Sequence, residues 1–238
     1  MKDGVEARLG SAAVVIAAGG SGRRMGGVRK QFAELLGEPI LVHSLRPFLE
    51  HPSIVCAVVA LPAEDAAAPP SWLVELDERV VVVAGGAERG DSVHRGLEVV
   101  PESVDIVLVH DAARPLVTRD VIDRALGAAG TGVGAVVGVP VTDTLKQVDA
   151  EGRIVGTPDR AVLRAAQTPQ AFPRAMLLDA YRRAAQEGVR ATDDAALVER
   201  YGGTVVVVEG SPENLKVTRP ADLIVAEALL RARIGAGA

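Results

Sequence analysis

A glycine-rich segment that carries cations follows the first apolar run of the chain. It reads AAGGSGRRM over residues 17–25 and continues to Lys30. Glycines let backbone N–H groups approach phosphate oxygens closely, and neighbouring cations neutralise the phosphate charge. A Walker loop is excluded because the segment has no Gly-Lys-Ser/Thr, and in a dinucleotide fingerprint the third glycine would fall at Met25. The alternative is a flexible turn, but Arg24 and Lys30 favour a site for a phosphate-rich ligand.

Two motifs place charged residues after later apolar runs. VHDAARP over residues 109–115 puts Asp111 just past a buried strand, where a carboxylate can hold a divalent metal or a ribose hydroxyl. A structural ion pair between Asp111 and Arg114 is the alternative. NLKVTRP over residues 214–220 carries Lys216, one of only four lysines among 26 basic residues. An ordinary surface lysine is the alternative there.

A second glycine turn, GGAERGDS over residues 85–92, lies between an apolar run and an amphipathic stretch. Its backbone groups and Ser92 could recognise the edge of a nucleobase. A capped helix start would explain the same residues, so this motif alone is weak evidence. The four histidines have neither metal-ligand spacing nor a nucleophile–base pattern, which favours structural roles.

The elements that must position these motifs alternate along the chain. Continuously apolar, β-branched runs are typical of strands buried on both faces. They lie at Ala12–Ala18, Ile54–Leu61, Val80–Ala84, Ile106–His110, Val133–Val141 and Thr204–Val208. Amphipathic stretches predict helices at Ile40–Glu50, Ser92–Val100, Arg119–Ala129, Arg174–Gln186, Asp193–Arg200 and Pro220–Arg233. This order predicts one α/β domain over residues 1–238, with a mostly parallel twisted sheet and helices on both faces. Ligands bind such sheets beyond the carboxyl ends of the strands, where all the motifs above would meet.

The segment from Val141 to Arg160 breaks the alternation. Two short polar strands flank the turn Asp149–Gly152, which predicts a projecting β-hairpin. An isolated hairpin is marginally stable, so we expect this arm to pack on a second subunit. A surface excursion is the alternative.

Composition excludes several classes of protein. The net charge of −5 and an aromatic content of 3% argue against a nucleic-acid-binding surface. The first apolar run is too short for a signal core or a membrane span, and the single cysteine, Cys56, indicates a reducing compartment. We therefore expect a cytoplasmic protein that binds neither nucleic acid nor membrane.

Together the motifs resemble the 2-C-methyl-D-erythritol 4-phosphate cytidylyltransferases of the non-mevalonate isoprenoid pathway. The set is A-A-G-x-G-x-R-M…K-Q, G-G-x-E-R-x-D-S-V, V-H-D-A-A-R-P, D-T-x-K, T-P-Q, T-D-D and N-x-K-V-T-R-P-x-D-L, from about Ala13 to Ala228. The resemblance implies a Rossmann-like nucleotidyltransferase fold, a homodimer clasped by the arm, and Mg²⁺ as cofactor. It implies that CMP passes from CTP to methylerythritol phosphate.

The resemblance also implies roles for residues at the matching positions. Arg24 and Lys30 would stabilise the pentacoordinate α-phosphate, and Arg160 and Lys216 would position the acceptor phosphate. Gly86 and Ser92 would read cytosine, and Asp111 would lie by the ribose and the metal. The remaining substrate-binding positions are Ala17, Ala18, Gly19, Gly22, Ala112, Arg114, Thr144, Thr168 and Thr192.

The chain departs from the family pattern at an extra small residue in the glycine loop, at Arg29 and at Ala87. The nearest alternative is the same chemistry on another alcohol phosphate such as ribitol 5-phosphate, and the region 141–160 should discriminate the two. A non-catalytic nucleotide-binding protein would not need both Arg24 and Lys30. An NAD-dependent dehydrogenase is disfavoured by Met25.

Overall fold

The structure is a computed structural model, and it describes residues 10–19, 29–190 and 193–236. The strands are β1 (Ala12–Ala17), β2 (Glu34–Leu35), β3 (Glu38–Pro39), β4 (Ile54–Leu61), β5 (Val80–Ala84), β6 (Ile106–Asp111), β7 (Gly134–Pro140), β8 (Gln147–Val148), β9 (Ile154–Gly156), β10 (Arg164–Pro173) and β11 (Val205–Glu209). The helices are α1 (Ile40–Leu49), α2 (Ala63–Ala67), α3 (Ser71–Val74), α4 (Arg89–Glu98), α5 (Arg119–Ala129), α6 (Arg174–Glu187), α7 (Asp194–Arg200) and α8 (Pro220–Ala236). Within the described ranges, no helix combines the length and the apolar character that crossing a membrane requires.

A seven-stranded sheet forms the centre of the fold, in the order β11-β7-β10-β6-β1-β4-β5. Strand β1 pairs in parallel with β4 and β6, β4 with β5, and β7 with β11. Strand β10 is antiparallel to both of its neighbours, β6 and β7. The prediction of a mostly parallel sheet is confirmed. The loops that follow β1, β5 and β6 therefore leave the sheet at the same edge.

Helices cover both faces of this sheet, as predicted. Ile16 of β1 packs in one apolar layer with Leu126 of α5 and residues of α1. Its neighbour Val15 faces the opposite layer, with Leu97 of α4 and residues of α6 and α7. Successive strand residues point to opposite faces, so burial on both sides requires the continuously apolar runs seen in the sequence.

Strand β10, which lies between β6 and β7, was not predicted from the sequence. Its pairing with β7 is irregular between Ala166 and Gln170, around Thr168 and Pro169. Proline has no N–H to donate to a ladder, and this segment lacks a β-branched run, so local pattern does not indicate a strand. The register of β10 with β6 brings Thr168 to the end at which β6 reaches Asp111.

Helix α4 begins three residues earlier than predicted, at Arg89 rather than Ser92. The carboxylate of Asp91 accepts a hydrogen bond from the backbone N–H of Glu88 at 3.0 Å. This capping interaction fixes the helix start at Glu88. Arg89 consequently sits in the first turn of α4, at the ligand edge of the sheet.

The predicted hairpin is present and forms a separate two-stranded antiparallel sheet of β8 and β9. The carboxylate of Asp149 accepts hydrogen bonds from the backbone N–H groups of Glu151 and Arg153 at 3.1 and 2.9 Å. Gly152 adopts a φ of +81°, which only glycine enters without cost. The hairpin geometry is thus confirmed, while its role in dimerisation stays a prediction.

Candidate active site

Asp111 ends β6 and lies buried at the carboxyl edge of the sheet, with cations on both of its oxygens. Arg89 Nε donates to Oδ1 at 3.1 Å, and Lys216 Nζ lies 2.7 Å from Oδ2. The backbone N–H of Val217 donates to the carbonyl of Ala113 at 2.8 Å, which fixes the segment that carries Lys216. The VHDAARP and NLKVTRP motifs, more than 100 residues apart, therefore form one cluster.

The charges of this cluster decide its protonation. Burial raises the pKa of the Asp111 carboxyl, but the charges of Arg89, Lys216 and Arg114, with the hydrogen bond from Lys216, outweigh burial and hold that pKa well below its usual range. Burial lowers the pKa of Arg89, yet the carboxylates of Asp194 and Asp111 raise it above its ordinary value. The carboxylate and the guanidinium are therefore both charged at neutral pH. The Lys216 side chain is 43% exposed, so this side of the cluster is open to solvent.

Further hydrogen bonds hold the backbone under this cluster. The Thr168 hydroxyl accepts from the Asp111 N–H and contacts His110 Nδ1, each at 3.0 Å. Arg114 Nη1 donates to the Asn214 carbonyl at 2.7 Å, and the Asn214 amide donates to the Thr168 carbonyl at 2.8 Å. The proposed ion pair of Arg114 with Asp111 is longer, at 3.7 Å. Arg114 and Thr168 thus lie beside Asp111, and Asn214 connects them.

The two glycine segments meet around Ser92. The buried Ser92 hydroxyl accepts from the N–H of Gly86 and donates to the carbonyl of Glu88, both at 3.1 Å. A Cβ added to Gly19 would lie 3.0 Å from Ser92 Oγ, and one added to Gly85 only 2.7 Å from it. The glycines therefore allow the loop after β1 to approach the turn after β5, and the Ser92 hydroxyl shapes that turn.

The alanines at the sheet edge present backbone rather than side chains. The N–H of Ala112 donates to the carbonyl of Ala17 at 3.3 Å, and the N–H of Ala18 donates to the carbonyl of Ala60 at 3.0 Å. Ala18 and Ala112 are buried. The small side chains let the loops after β1 and β6 lie in contact.

Arg160 and Thr144 lie at the base of the hairpin arm and are both exposed. Arg160 donates to the carbonyl of Thr142, and the Asp159 carboxylate accepts from the N–H of Ala161 at 2.9 Å. Within the described residues, these hydrogen bonds do not join Arg160 to the Asp111 cluster. The two residues are therefore available to a ligand or to a second subunit.

Three predicted site residues, Gly22, Arg24 and Thr192, lie outside the described residues. The backbone of Lys30 opens a 3₁₀ turn, Lys30–Phe32, ahead of β2. The roles of these residues stay predictions.

A family model described as 2-C-methyl-D-erythritol 4-phosphate cytidylyltransferase matches residues 12–232. The chain belongs to this family. It is 49% identical to the enzyme of that name from Symbiobacterium thermophilum, over 91% of this chain and 92% of the relative. The crystal structure of the Thermus thermophilus enzyme matches with a TM-score of 0.79 and 37% identity, over 93% of this chain and 99% of that chain.

The chain is also 47% identical to the Bifunctional enzyme IspD/IspF of Rhodopseudomonas palustris (strain HaA2), over 94% of this chain and 56% of that protein. It thus spans about half the length of the bifunctional relatives. The resemblance in the sequence motifs is confirmed over nearly the whole chain. The protein is a cytidylyltransferase that uses CTP and 2-C-methyl-D-erythritol 4-phosphate and forms the corresponding diphosphocytidyl alcohol.

Two residues that build the Asp111 cluster were not predicted from the sequence. Arg89 was inside a recognised motif but was assigned no role, and it pairs with Asp111 and with Asp194, which is 105 residues away. Asn214 is fully buried and bonds to β10, a strand that the sequence did not reveal. The signal for Arg89 was its place directly after the second glycine turn. The pairing of Arg89 with Asp194 leaves no pattern in the local sequence, because the two residues are far apart along the chain.

The carboxylates at this site fit a metal only in part. Among the described residues, no group of three or more histidine, cysteine, aspartate or glutamate side chains could hold an ion. Asp111 is a single carboxylate that already contacts Arg89 and Lys216. Mg²⁺ commonly binds through one or two carboxylates together with substrate phosphates and water. Among the described residues, this cluster therefore fits only an ion that arrives with the nucleotide phosphates, which Asp111 would contact.

Proposed function

We propose that cytidylyl transfer occurs at the edge formed by Asp111, Lys216 and the two glycine segments, by in-line attack. A phosphate oxygen of the methylerythritol phosphate forms a bond to the α-phosphorus of CTP. The bond from that phosphorus to the bridging oxygen breaks, and pyrophosphate leaves with the electron pair. The acceptor phosphate is ionised at neutral pH, so the attack needs no general base.

The observation that carries this proposal is that two cations from distant parts of the chain, Arg89 and Lys216, both contact Asp111 at one edge of the sheet. Two phosphates at contact repel each other by several kcal/mol even at an effective dielectric of about 20. Charge neutralisation and positioning account for most of the catalysis of such transfers. Lys216 Nζ lies 2.7 Å from Asp111, which directs its ammonium to the place where the strands end.

The proposed roles are those that the family's motifs imply for the matching positions of this chain. Arg24 and Lys30 stabilise the charge on the α-phosphate, and Lys216 and Arg160 hold the acceptor phosphate. Asp111 accepts a ribose hydroxyl. The acceptor also contacts Thr144, and the base lies against Gly86 and Ser92. The CTP phosphates and ribose lie against backbone groups of the glycine loop and its neighbours: Ala17, Ala18, Gly19, Gly22 and Ala112. The rest of the pocket is formed by Arg114, Thr168 and Thr192.

We propose that Mg²⁺ binds with the triphosphate and is contacted by Asp111. When bound, it supplies positive charge that neutralises the phosphate oxygens. The part played by the chain is the orientation of the Asp111 carboxylate by Arg89, at 3.1 Å.

We further propose a homodimer in which the arm packs on a second copy, and a cytoplasmic location. The arm and the segment after it carry five exposed apolar residues: Leu145, Val148, Ile154, Val155 and Val162. An apolar surface of this kind favours contact with another protein surface. The cytoplasmic location is supported by Cys56, the one cysteine of the chain, which is buried and free, as is typical of a reducing compartment. Cell fractionation would test this location.

The test measures pyrophosphate release with each of four nucleoside triphosphates, against methylerythritol phosphate and ribitol 5-phosphate. We expect CTP with methylerythritol phosphate to be turned over fastest. In the same assay, Lys216→Ala should raise the Michaelis constant for the acceptor by about tenfold or more. Arg231→Ala, which removes an exposed charge from α8, is the matched control. Preference for ribitol 5-phosphate would reject methylerythritol phosphate as the acceptor. An unchanged Michaelis constant for the acceptor in Lys216→Ala would reject the role of that lysine.

A further inference from the structure

A chain of buried polar contacts leads from helix α6 to the carboxylate of Asp111. The Tyr181 hydroxyl donates to Oδ1 of Asp194, at the start of α7. Oδ2 of Asp194 accepts from Arg89 Nη2 at 2.8 Å, and Arg89 Nε donates to Oδ1 of Asp111 at 3.1 Å. Lys216 contacts the other Asp111 oxygen. Four elements and the loop before α8 thus meet in one chain of contacts.

The burial of the Asp194 carboxylate carries a desolvation cost that calls for an explanation. The carboxylate is fully buried, and removal of a charge from water costs several kcal/mol even when it is paired. Replacement of a buried ion pair by apolar residues is often neutral or stabilising, so stability alone does not explain the pair. A positional role for the carboxylate is the more economical explanation.

The geometry of Arg89 transmits position from one carboxylate to the other. A guanidinium is a rigid plane, and two of its nitrogens here contact two different carboxylates. The place of Asp194 therefore sets the place at which Arg89 Nε meets Asp111. Because Arg89 is in the first turn of α4, the glycine turn that precedes this helix is fixed by the same contacts.

Helix α7 is itself anchored, so Asp194 is a fixed point. The Asp193 carboxylate caps the helix by accepting from the N–H of Ala196 at 2.9 Å. The Gln170 side chain, on β10, donates to Asp193 at 3.1 Å and accepts from the N–H of Ala195 at 3.1 Å. The glutamine of the T-P-Q motif thereby holds Asp193 and the start of α7 against the sheet.

We propose that Tyr181 and Asp194 are positioning residues for cytidylyl transfer: acting through Arg89, they hold the Asp111 carboxylate in the orientation that CTP meets. The inference depends on the role proposed above for Asp111. Tyr181 and Asp194 contact no substrate in this proposal. Loss of the Tyr181 hydroxyl leaves one Asp194 oxygen without its donor, which allows Asp194, Arg89 and then Asp111 to reorient.

The first experiment compares Tyr181→Phe with Tyr201→Phe. The two variants lose the same hydroxyl, but Tyr201 donates to the exposed Glu187 at 3.0 Å and lies outside the chain of contacts. We expect Tyr181→Phe to raise the Michaelis constant for CTP about fivefold at a temperature at which the protein is fully folded. Tyr201→Phe should keep the wild-type constant. A purely structural role would lower the melting temperature of Tyr181→Phe and leave its Michaelis constant unchanged, which would overturn the proposal.

A double-mutant cycle tests whether the effect passes through Asp111. In an Asp111→Asn background, Tyr181→Phe should change the Michaelis constant for CTP less than twofold, because the carboxylate that it positions is absent. The same fivefold factor in both backgrounds would refute the positioning. If Asp111→Asn alone leaves the kinetics unchanged, the proposed role of Asp111 fails and the positioning fails with it. If Asp111→Asn raises the Michaelis constant for CTP but Tyr181→Phe leaves it unchanged, the positioning role of Tyr181 is refuted while the proposed role of Asp111 stands.

Discussion

His110 precedes Asp111 in β6, and its ring is completely buried beneath the site. Burial lowers its pKa to about 4, and the charges of Arg114 and Arg89 add to this effect, while the Asp111 carboxylate and the Arg114 carbonyl oppose it. The Thr168 hydroxyl accepts from the Asp111 N–H, so its own hydrogen can reach Nδ1 of His110. Nε2 then carries the proton and donates to the Arg114 carbonyl at 3.2 Å. The ring is neutral at pH 7.

This state of His110 predicts how stability depends on pH. The pKa is about 6.5 when the ring is free and about 4 in the fold, so the unfolded chain binds an additional proton between these values. The stability contributed by the neutral ring is fully present above pH 6.5 and is lost as the pH falls toward 4, by up to about 1.4 kcal/mol per pH unit. Denaturant unfolding of the ligand-free chain should show a steeper loss of stability over this pH range than His110→Gln, and the difference between the two slopes is the contribution of the histidine. A ring resonance of His110 that titrates near 6.5 would contradict the prediction.

At this scale the sequence indicated single residues but not their partners. Asp111 and Lys216 could be placed at the same edge because each follows an apolar run, and the structure brings them together. Arg89 could not be paired with Asp194, because that contact depends on how α4 packs beside α7. Tyr181 occupies an ordinary amphipathic position on α6, where its hydroxyl gives no local signal.

Among the elements, helix α4 depends on the glycine turn that precedes it. A Cβ at Gly86 would lie 2.1 Å from Cβ of Asp91, the residue that caps the helix start. Gly86→Ala therefore requires a shift of the first turn, at a cost of about 1–3 kcal/mol. Because Arg89 is in that turn, we expect both a lower melting temperature and a higher Michaelis constant for CTP.

Gly90 is the matched control, since it lies in the first turn of the same helix. An added Cβ there meets only the ring of Tyr181, at 3.9 Å, which is an ordinary contact. Gly90→Ala should keep the affinity for CTP and stabilise the helix by up to about 1 kcal/mol. Equal behaviour of the two variants in calorimetry and kinetics would contradict the dependence of α4 on Gly86.

Most elements were predictable because both sides of the sheet are buried. The six predicted strands and six predicted helices are all present, since continuous apolar runs and amphipathic stretches are dictated by burial. Strand β10 was not predictable, because its place between β6 and β7 comes from tertiary pairing of a segment with two prolines and two glutamines. The antiparallel insertion of β10 is also what brings Thr168 to Asp111.

For the whole molecule, the arm is a feature whose sequence and described surface both call for a partner. Val148 and Ile154 are directly paired across the hairpin, and these residues are 53% and 63% exposed. Val162, just beyond the arm, is 78% exposed. A two-stranded ribbon with apolar side chains in water is marginal by itself. Contact with a second copy would cover these side chains and bring Arg160 and Thr144 to a substrate.

Ile154→Asp should therefore weaken self-association. A carboxylate buried at an interface without a partner costs several kcal/mol, which is enough to dissociate a micromolar dimer at ordinary assay concentrations. We expect light scattering after size exclusion to show a dimer for the wild type and a monomer for this variant. Activity should fall in parallel, because the arm carries residues proposed to hold the acceptor. Val74→Asp, on the exposed side of α3, places the same charge away from the arm and should stay dimeric and active. A fully active Ile154→Asp monomer would show that each chain completes its own site without the arm of another.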